Sequence, residues 1–551
     1  MQNIIEKLVS DLLQTKNLNL AKLERLKKQY AKEYKISVIP NTSIIEAYHN
    51  LVKRKKIKPN KEFEEFLKTK KTRSLSGIVS IAIFTKPIPC PGKCIYCPNQ
   101  KDMPKSYIDN EPAVMRAVLC NYDPVKQIKA RLKALEINGH PTDKIELIVM
   151  GGTWSVHDKK YKENFIKKCF QVCNQKNSYR SSEAKRSREP SKNLDFSTSS
   201  KTKFLNLSEE QKRNEKAKHR IIGLTLETRP DYIDEKEIKQ MRKLGATRIE
   251  LGVQSIYDDV LNICNRGHLI DQAIKATQLL KDAGFKINYH MMPNLPGSSK
   301  TKDLKMFEEL FSKQEFQPDM LKIYPCVLTK YSELYKLWKK EKYKPYNDKE
   351  IINLLIKIKQ KIPKYVRIMR LGRDIPANNI IAGNKISNIR QEIERIFQER
   401  KLECRCIRCR EIRNEEFRIK NLELKRYDYE ASKGKEIFLS FEDIKNDKLL
   451  AFLRLRIPSY YFTKKHHFIK ALENSFLIRE LHTYGELIPI HNKGKVQHFG
   501  FGKKLIKEAE KITRTEFKLN KIAVISGVGV RGYYRKLGYR LNDGYMIKNL
   551  K

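Results

Sequence analysis

Six short runs rich in β-branched and apolar residues recur between positions 78 and 325: IVSIAIF (78–84), IELIVMGG (145–152), IIGLTLET (221–228), RIELGVQS (248–255), KINYHMM (286–292) and MLKIYP (320–325). Amphipathic stretches such as DPVKQIKARLKALEING and LIDQAIKATQLLKDAGF separate most of them. A chain that alternates strand and helix has few solutions, because each helix crosses back over the sheet and leaves successive strands parallel. The expectation is an α/β protein built on a partial (β/α)6 barrel, two units short of the closed eight-stranded form. The barrel region is expected over 73–400, its last part, 326–400, mixed and helical. Residues 174–206, rich in Ser, Lys and Asn, break the rhythm and predict a polar insertion without a core of its own.

Directly after the first apolar run stands KPIPCPGKCIYCPNQ, with the spacing Cys90-x3-Cys94-x2-Cys97. Three thiolates can hold three irons of a [4Fe–4S] cluster and leave the fourth open to chelate a small molecule. In radical enzymes that molecule is S-adenosylmethionine. A zinc loop with a remote fourth ligand is the alternative. The place at the end of strand one argues for the cluster, because barrel active sites lie at that face. Gly151, Gly152 and Thr153 follow the second run and are similar to the strand-two loop that receives the methionine amino group. Glu227, Gln254 and Arg266, near later strand ends, are further candidates for the barrel mouth, or ordinary structural polar residues.

A second cluster, Cys404-x-Cys406-x2-Cys409, lies in a basic linker, residues 401–425. Clustered thiols in a chain read as cytoplasmic point to metal before disulfides. One zinc with a remote fourth ligand is expected, His268 and His290 being the possibilities considered. Arg405, Arg408 and Arg410 are expected to favour the thiolates.

From 426 to 551 the pattern changes to a compact α/β unit. Strand-like runs (EIFLSF, LLAFLRLRI, SFLIRELHTYGELI) precede Gln497-x-x-Gly500-Phe501-Gly502-Lys503, which opens the helix LIKEAEKI; KIAVISG and RGYYRKLGY follow. A glycine-rich turn at a helix N-terminus suits an anion such as a pyrophosphate. The order of elements matches the acetyl-CoA site of the GCN5-related N-acetyltransferase fold, with Tyr533 and Tyr534 as candidates near the thioester.

The charge balance adds a partner. Lys and Arg number 113 against 64 Asp and Glu, a formal net charge of +49. That excess points to a polyanion, nucleic acid before membrane. Residues 1–72 are basic and helical in pattern, and an RNA-binding appendage is expected there. No apolar run is long enough for a membrane span, and the first twenty residues do not read as a signal peptide.

Taken together, PCPGKCIYCP, PKSYIDNEPAVMRA, DKIELIVMGGTWS, GLTLETRPD, TRIELGVQS, NRGH, HMMPNLPG, IMRLGRDIPA, CRCIRCRE, RELHTYGELIPI, QHFGFGKKL and KIAVISGVGVRGYYRKLGY resemble one family, the Elongator catalytic subunit with its stand-alone archaeal and bacterial relatives. The resemblance runs from about residue 73 to the C-terminus, apart from the polar insertion; Cys90-x3-Cys94 is tighter than in many members. It implies a tRNA uridine-34 acetyltransferase that attaches a carboxymethyl group to C5 of the wobble uridine, using a 5′-deoxyadenosyl radical and acetyl-CoA. It implies acetyl-CoA contacts at Lys144, Glu480, Leu481, His482, Thr483, Phe501, Gly502, Lys503 and Tyr534, the last tentatively catalytic. The implied partners are the tRNA anticodon loop, acetyl-CoA and an electron donor, with a homodimer or accessory subunits left open. The alternative is a protein lysine acetyltransferase using the C-terminal unit alone.

Overall fold

Seven parallel strands form one sheet in sequential order: β1 (Val79–Phe84), β2 (Lys144–Met150), β3 (Arg220–Thr228), β4 (Arg248–Gln254), β5 (Lys286–Met291), β6 (Met320–Ile323) and β7 (Arg367–Leu371). The computed structural model describes residues 1–67, 77–175, 205–413, 421–485 and 499–550. Most of the insertion expected at 174–206 lies outside these residues. Side-chain alternation sorts each strand. Ile145, Leu147 and Val149 of β2 point outward and join Ile128, Leu132, Phe165 and Ile166 of the covering helices in the main core. Lys144, Glu146 and Ile148 take the opposite, inner face. The sheet is an open half-barrel with one strand more than the six runs predicted. The extra strand, β7, has only five residues and lies in the stretch read as mixed and helical.

The second sheet is mixed. Its order is β13 (Arg540–Asn542), β14 (Tyr545–Asn549), β12 (Lys521–Val524), β11 (Phe476–Thr483), β10 (Lys448–Ile457), β9 (Gly434–Asp443) and β8 (Leu422–Ala431). Only β11 and β12 pair in parallel, with the helix Phe501–Thr515 between them in the chain. At the N-terminus α1 (Gln2–Gln14), α2 (Leu20–Glu33), α3 (Asn41–Lys53) and α4 (Lys61–Leu67) enclose a small core of their own around Leu8, Leu12, Leu23, Tyr30, Ile44 and Tyr48.

The two sheets meet across a charged seam. Arg479 of β11 donates to Asp319 just before β6, and Arg242 donates to Ser526 O at 2.8 Å. Gly527 lies so close to β3 that a Cβ there would collide with the Ile222 carbonyl. The second unit is therefore packed directly on the start of β3.

Candidate active site

The loop after β1 carries the first cysteine triad over the carboxyl ends of the strands. Cys90, Cys94 and Cys97 line a cavity of about 210 Å³ with Gly152, Thr153, Glu227, Gln254 and Arg266. The loop is tied down from two sides: Ile95 N donates to Cys264 O (3.1 Å), and Leu334 N donates to Ile95 O (2.8 Å). Gly151, at φ +126°, has no room for a Cβ against Thr85, so only glycine lets this loop turn behind the cavity. Arg266 Nη1 stands 3.5 Å from Cys94 Sγ. A hydrogen bond with Cys97, and then the Arg266 charge, hold the Cys94 thiol well below its ordinary value.

The donor set fits a cluster. Thiolates on one tetrahedral ion stand about 4 Å apart. Among the described residues only Cys404, Cys406 and Cys409 bring three ligand atoms within 4.8 Å of one another. Cys90, Cys94 and Cys97 are not all gathered within that distance, although Cys94 and Cys97 are in hydrogen-bond contact, and all three line one cavity. Around them Gln254 Oε1, Arg229 Nη1 and Arg266 Nε are buried without a hydrogen-bond partner among the protein atoms, so the cavity has polar capacity to spare for a ligand.

Below the cysteines a polar column fills one side of the half-barrel. His290 Nε2 lies 2.8 Å from Glu250 Oε2, and Lys322 pairs with the same oxygen. The Tyr107 hydroxyl donates to Glu227 Oε2 at 2.9 Å, and Tyr324 stands edge-on to the His290 ring. Burial alone would raise Glu250, yet Lys322, His290 and Arg248 hold it well below the carboxylate range. Glu250 in turn keeps Lys322 protonated against burial. Deeper still, Arg248 Nη1 meets Glu146 Oε1 at 2.6 Å.

A second cavity, about 450 Å³, opens at the other end of the same strands. Ile78, Lys144 and Ile222 line it from the half-barrel, and Leu481, His482, Thr483, Gly500, Phe501, Gly502, Lys503 and Tyr533 from the second sheet. Gly500, at φ +95°, starts the helix whose N-terminus faces the space. Burial pushes the Lys144 ammonium down to about 8. Gln497 lies outside the described residues. Glu480 is turned behind the cavity, where Arg454 Nε donates to it at 2.9 Å. Tyr534 is buried edge-on to Tyr539, and it is its neighbour Tyr533 that reaches the lining.

The second triad departs from expectation in its surroundings. Neither His268 nor His290 joins it: His290 is engaged by Glu250, and His268 Nδ1 lies 3.1 Å from Leu269 O. The cation against the thiolates is Lys359, whose Nζ is 3.3 Å from Cys409 Sγ, not the arginines. Arg410 instead donates to Asp447 at 2.9 Å and pairs with Glu442. The triad loop is docked on the half-barrel by Ile407 N, which donates to Val366 O at 2.9 Å.

Two family models match the half-barrel, the Radical SAM superfamily over residues 89–310 and the Radical_SAM C-terminal domain over 318–400. Fold and triad thus define a radical S-adenosylmethionine enzyme, a class whose chemistry implies that cofactor and a [4Fe–4S] cluster. The chain is 44% identical to the tRNA uridine(34) acetyltransferase of Methanocaldococcus infernus, over 100% of this chain and 99% of the relative. It is 36% identical to human Elongator complex protein 3, over 100% of this chain and 96% of the relative. The solved structure of Methanocaldococcus infernus Elp3 with its N-terminus (1–46) deleted superposes with a TM-score of 0.71 at 43% identity, covering 87% of this chain and 100% of that one. The chain belongs to this family, the Elongator catalytic subunits and tRNA uridine(34) acetyltransferases. Among the described residues no helix is long and apolar enough to cross a membrane.

Proposed function

We propose that the protein is a tRNA uridine-34 acetyltransferase in which the two cavities serve one reaction. The observation that carries this reading is their arrangement, a cysteine-lined cavity and a glycine-rich helix start at opposite ends of the same strands. Cys90, Cys94 and Cys97 would hold the cluster, and Gly152 and Thr153 would receive S-adenosylmethionine, with Gly151 shaping the turn behind them. When bound, that pair would supply a 5′-deoxyadenosyl radical to take a hydrogen from the acetyl methyl. Joining that carbon to uridine C5 would release the C5 hydrogen as a proton together with the one electron the reductant first supplied, and hydrolysis of the thioester would leave the carboxymethyl group and free coenzyme A. Arg266 stands against the Cys94 sulfur and, after the Cys97 hydrogen bond, favours its thiolate. Lys144, Leu481, His482, Thr483 and the Gly500–Lys503 turn would bind acetyl-CoA, with Tyr533 on the lining and Tyr534 packed behind it. The buried Glu250–Lys322 pair, fully charged, gives the upper cavity fixed polarity for a base edge.

Cys404, Cys406 and Cys409 suit one structural zinc at the junction of the two units. The net charge of +49 and the basic N-terminal helices suit tRNA, whose anticodon loop presents splayed bases. The test is incubation of protein with reductant, S-adenosylmethionine, acetyl-CoA and unmodified tRNA, followed by nucleoside mass analysis. Carboxymethyluridine at position 34, lost when any component is omitted, is expected. Lysine acetylation of a protein acceptor without S-adenosylmethionine, and no modified uridine, would overturn the proposal.

A further inference from the structure

A groove of about 1090 Å³ opens where the half-barrel helices Leu207–Asn214 and Glu235–Leu244 meet the second unit's helix Arg531–Arg535 and strands β13 and β14. It shares no lining residue with the cysteine cavity or with the glycine-rich one. We infer that this groove is a separate binding site for a polyphosphate ligand of the nucleoside di- and triphosphate class. The inference is independent of the reaction proposed above.

Charge is the first argument. Arg213 and Lys243 lean on Glu210 and Glu163 outside the groove, and Glu209 closes the capping box of its own helix. The remaining charged lining is Lys212, Lys216, Lys239, Arg242, Arg531 and Arg535 against Glu215 and Asp543, six cations less two carboxylates, a surplus of four. The adjoining sequence 176–204 holds eight Lys and Arg against three Asp and Glu, so it adds cations rather than the missing anion.

Burial is the second. Arg242 is 2% exposed and Arg531 5%. Arg242 donates to backbone carbonyls, Ala246 O at 2.6 Å, Ser526 O at 2.8 Å and Gly544 O at 3.1 Å, and none of these carries a full negative charge. Arg531 Nη1 stands 3.8 Å from Glu215 Oε1, beyond hydrogen-bond reach, and its Nε is buried without a hydrogen-bond partner among the protein atoms. Glu215 also accepts from Arg535 Nη2 at 3.2 Å. Burial pulls both guanidiniums below their ordinary value, Arg242 to about 10. A cation withdrawn from water without a counter-charge is destabilising, and a bound anion would relieve it.

The ligand class follows from the size of the surplus. One carboxylate answers one charge, whereas a di- or triphosphate carries about three or four near neutral pH, and guanidinium forks take phosphate oxygens in pairs. Leu207 and Leu541, the latter 42% exposed, offer apolar surface to the nucleoside. The volume lies just above the range of about 300–1,000 Å³ usual for small-ligand sites. A ligand held there touches both units and ties them together.

Calorimetry with ATP tests this, on full-length, cluster-reconstituted protein saturated with S-adenosylmethionine and acetyl-CoA so that both other cavities are occupied. Binding of ATP is expected, with a rise in the unfolding temperature. ADP should behave similarly, and AMP should bind about tenfold more weakly or worse. Arg531→Gln should weaken ATP about tenfold or more. Lys212→Glu with Lys216→Glu, both at exposed positions, should do the same without touching the packing. The equal charge change Lys349→Glu with Lys357→Glu, on the distant helix Asp348–Lys361, should leave affinity within about twofold. No binding of ATP, or binding indifferent to the groove variants, would overturn the inference. So would tRNA that displaces ATP and loses the same affinity in Arg531→Gln, since the groove would then be an RNA track. Binding seen only when acetyl-CoA is omitted would place the nucleotide at the glycine-rich turn, overturning the inference and leaving the proposed function standing. Intact ATP binding in a protein that modifies no uridine would overturn the proposed function alone.

Discussion

Changing Asp319 to asparagine alters little volume and removes one charge from the centre of the seam between the two sheets. Asp319 is 0% exposed. Its carboxylate accepts from Arg479 Nη1 at 3.0 Å, from Arg479 Nη2, and from Ile287 N at 2.8 Å. Arg454 and Lys281 stand 3.6 and 3.7 Å away. The surrounding ion pairs join four cations (Lys281, Arg454, Arg456, Arg479) to four anions (Asp282, Asp319, Glu436, Glu480), so the buried set is neutral. Asp319→Asn leaves one positive charge unmatched away from water, at a cost of about 3–5 kcal/mol. Asp319→Leu combined with Arg479→Met keeps the balance and should recover most of that loss. Urea unfolding followed by tryptophan fluorescence reads this directly, because Trp154 and Trp338 both belong to the half-barrel. The sign with pH also follows. Despite burial, Arg479, Lys281 and Arg454 hold Asp319 well below its ordinary value. Its stabilisation is thus complete above the unfolded value, about 4, and is lost as pH falls below it. Asp319→Asn should flatten that acid limb. A single variant within about 1 kcal/mol of wild type, or a double variant no more stable than the single, would refute the argument.

Cys94→Ala should abolish iron loading and reductive cleavage of S-adenosylmethionine, read by iron analysis and 5′-deoxyadenosine formation; retained iron counts against the first triad. Protein with all three of those cysteines replaced should still carry about one zinc per chain, lost on Cys406→Ala, and less than about half an equivalent would rule out the second site. If Lys144 contacts coenzyme phosphate or carbonyl oxygen, acetyl-CoA affinity should be level below pH 8 and weaken up to about tenfold per unit above it, because burial sets Lys144 at about 8 in the free protein; Lys144→Met should bind more weakly and lack this limb in calorimetry. Removing the N-terminal helices should weaken tRNA binding and lower the slope of log affinity against log salt, and an unchanged slope would count against their role.

The sequence made the half-barrel legible because its strands are covered by helices and read as long β-branched runs. β7 escaped because five residues, RIMRL, give no periodicity to judge. β8 escaped for a different reason. It is the edge of the second sheet, and in LELKRYDYEA half of the side chains are exposed and four of those five exposed ones are charged, so charge masks the strand. The first triad was readable because ligand spacing is local, and so was the glycine-rich turn. The surroundings of both triads were not. Lys359 meets Cys409 from fifty residues away, and Tyr107 meets Glu227 across 120; no local pattern encodes such pairs. Lys322 and Tyr324 could have been reached by alternation along β6, once the inner face was known. For Tyr533 and Tyr534 the sequence offers two adjacent candidates, and only the packing of Tyr534 against Tyr539 separates their positions.

An open sheet suits two cofactors where a closed barrel would not. In an eight-stranded barrel the lumen is packed with side chains in layers, and a ligand at one mouth is isolated from the other. Here the sheet runs from β1 to β7 without those two strands pairing. The charged inner residues Arg248, Glu250, His290 and Lys322 belong to β4–β6, and the inner face of β1 carries the small Ser80 and Ala82 with the buried Phe84 at its upper end. The other ends of the same strands meet the second sheet's glycine-rich helix in a cavity lined by Ile78 and Lys144. The seam explains why that second unit must be rigidly held. Asp319 fixes the start of β5 through Ile287 N and Arg479 of β11 through the same carboxylate. A shift of one strand rise, about 3.3 Å, would carry a thioester past a reacting carbon, and a misplacement of about 1 Å already costs on the order of a hundredfold in rate. Stability variants at the seam should therefore lower coupled turnover before they lower either cofactor's binding, a split measurable as unchanged acetyl-CoA affinity with fewer modified uridines per 5′-deoxyadenosine released.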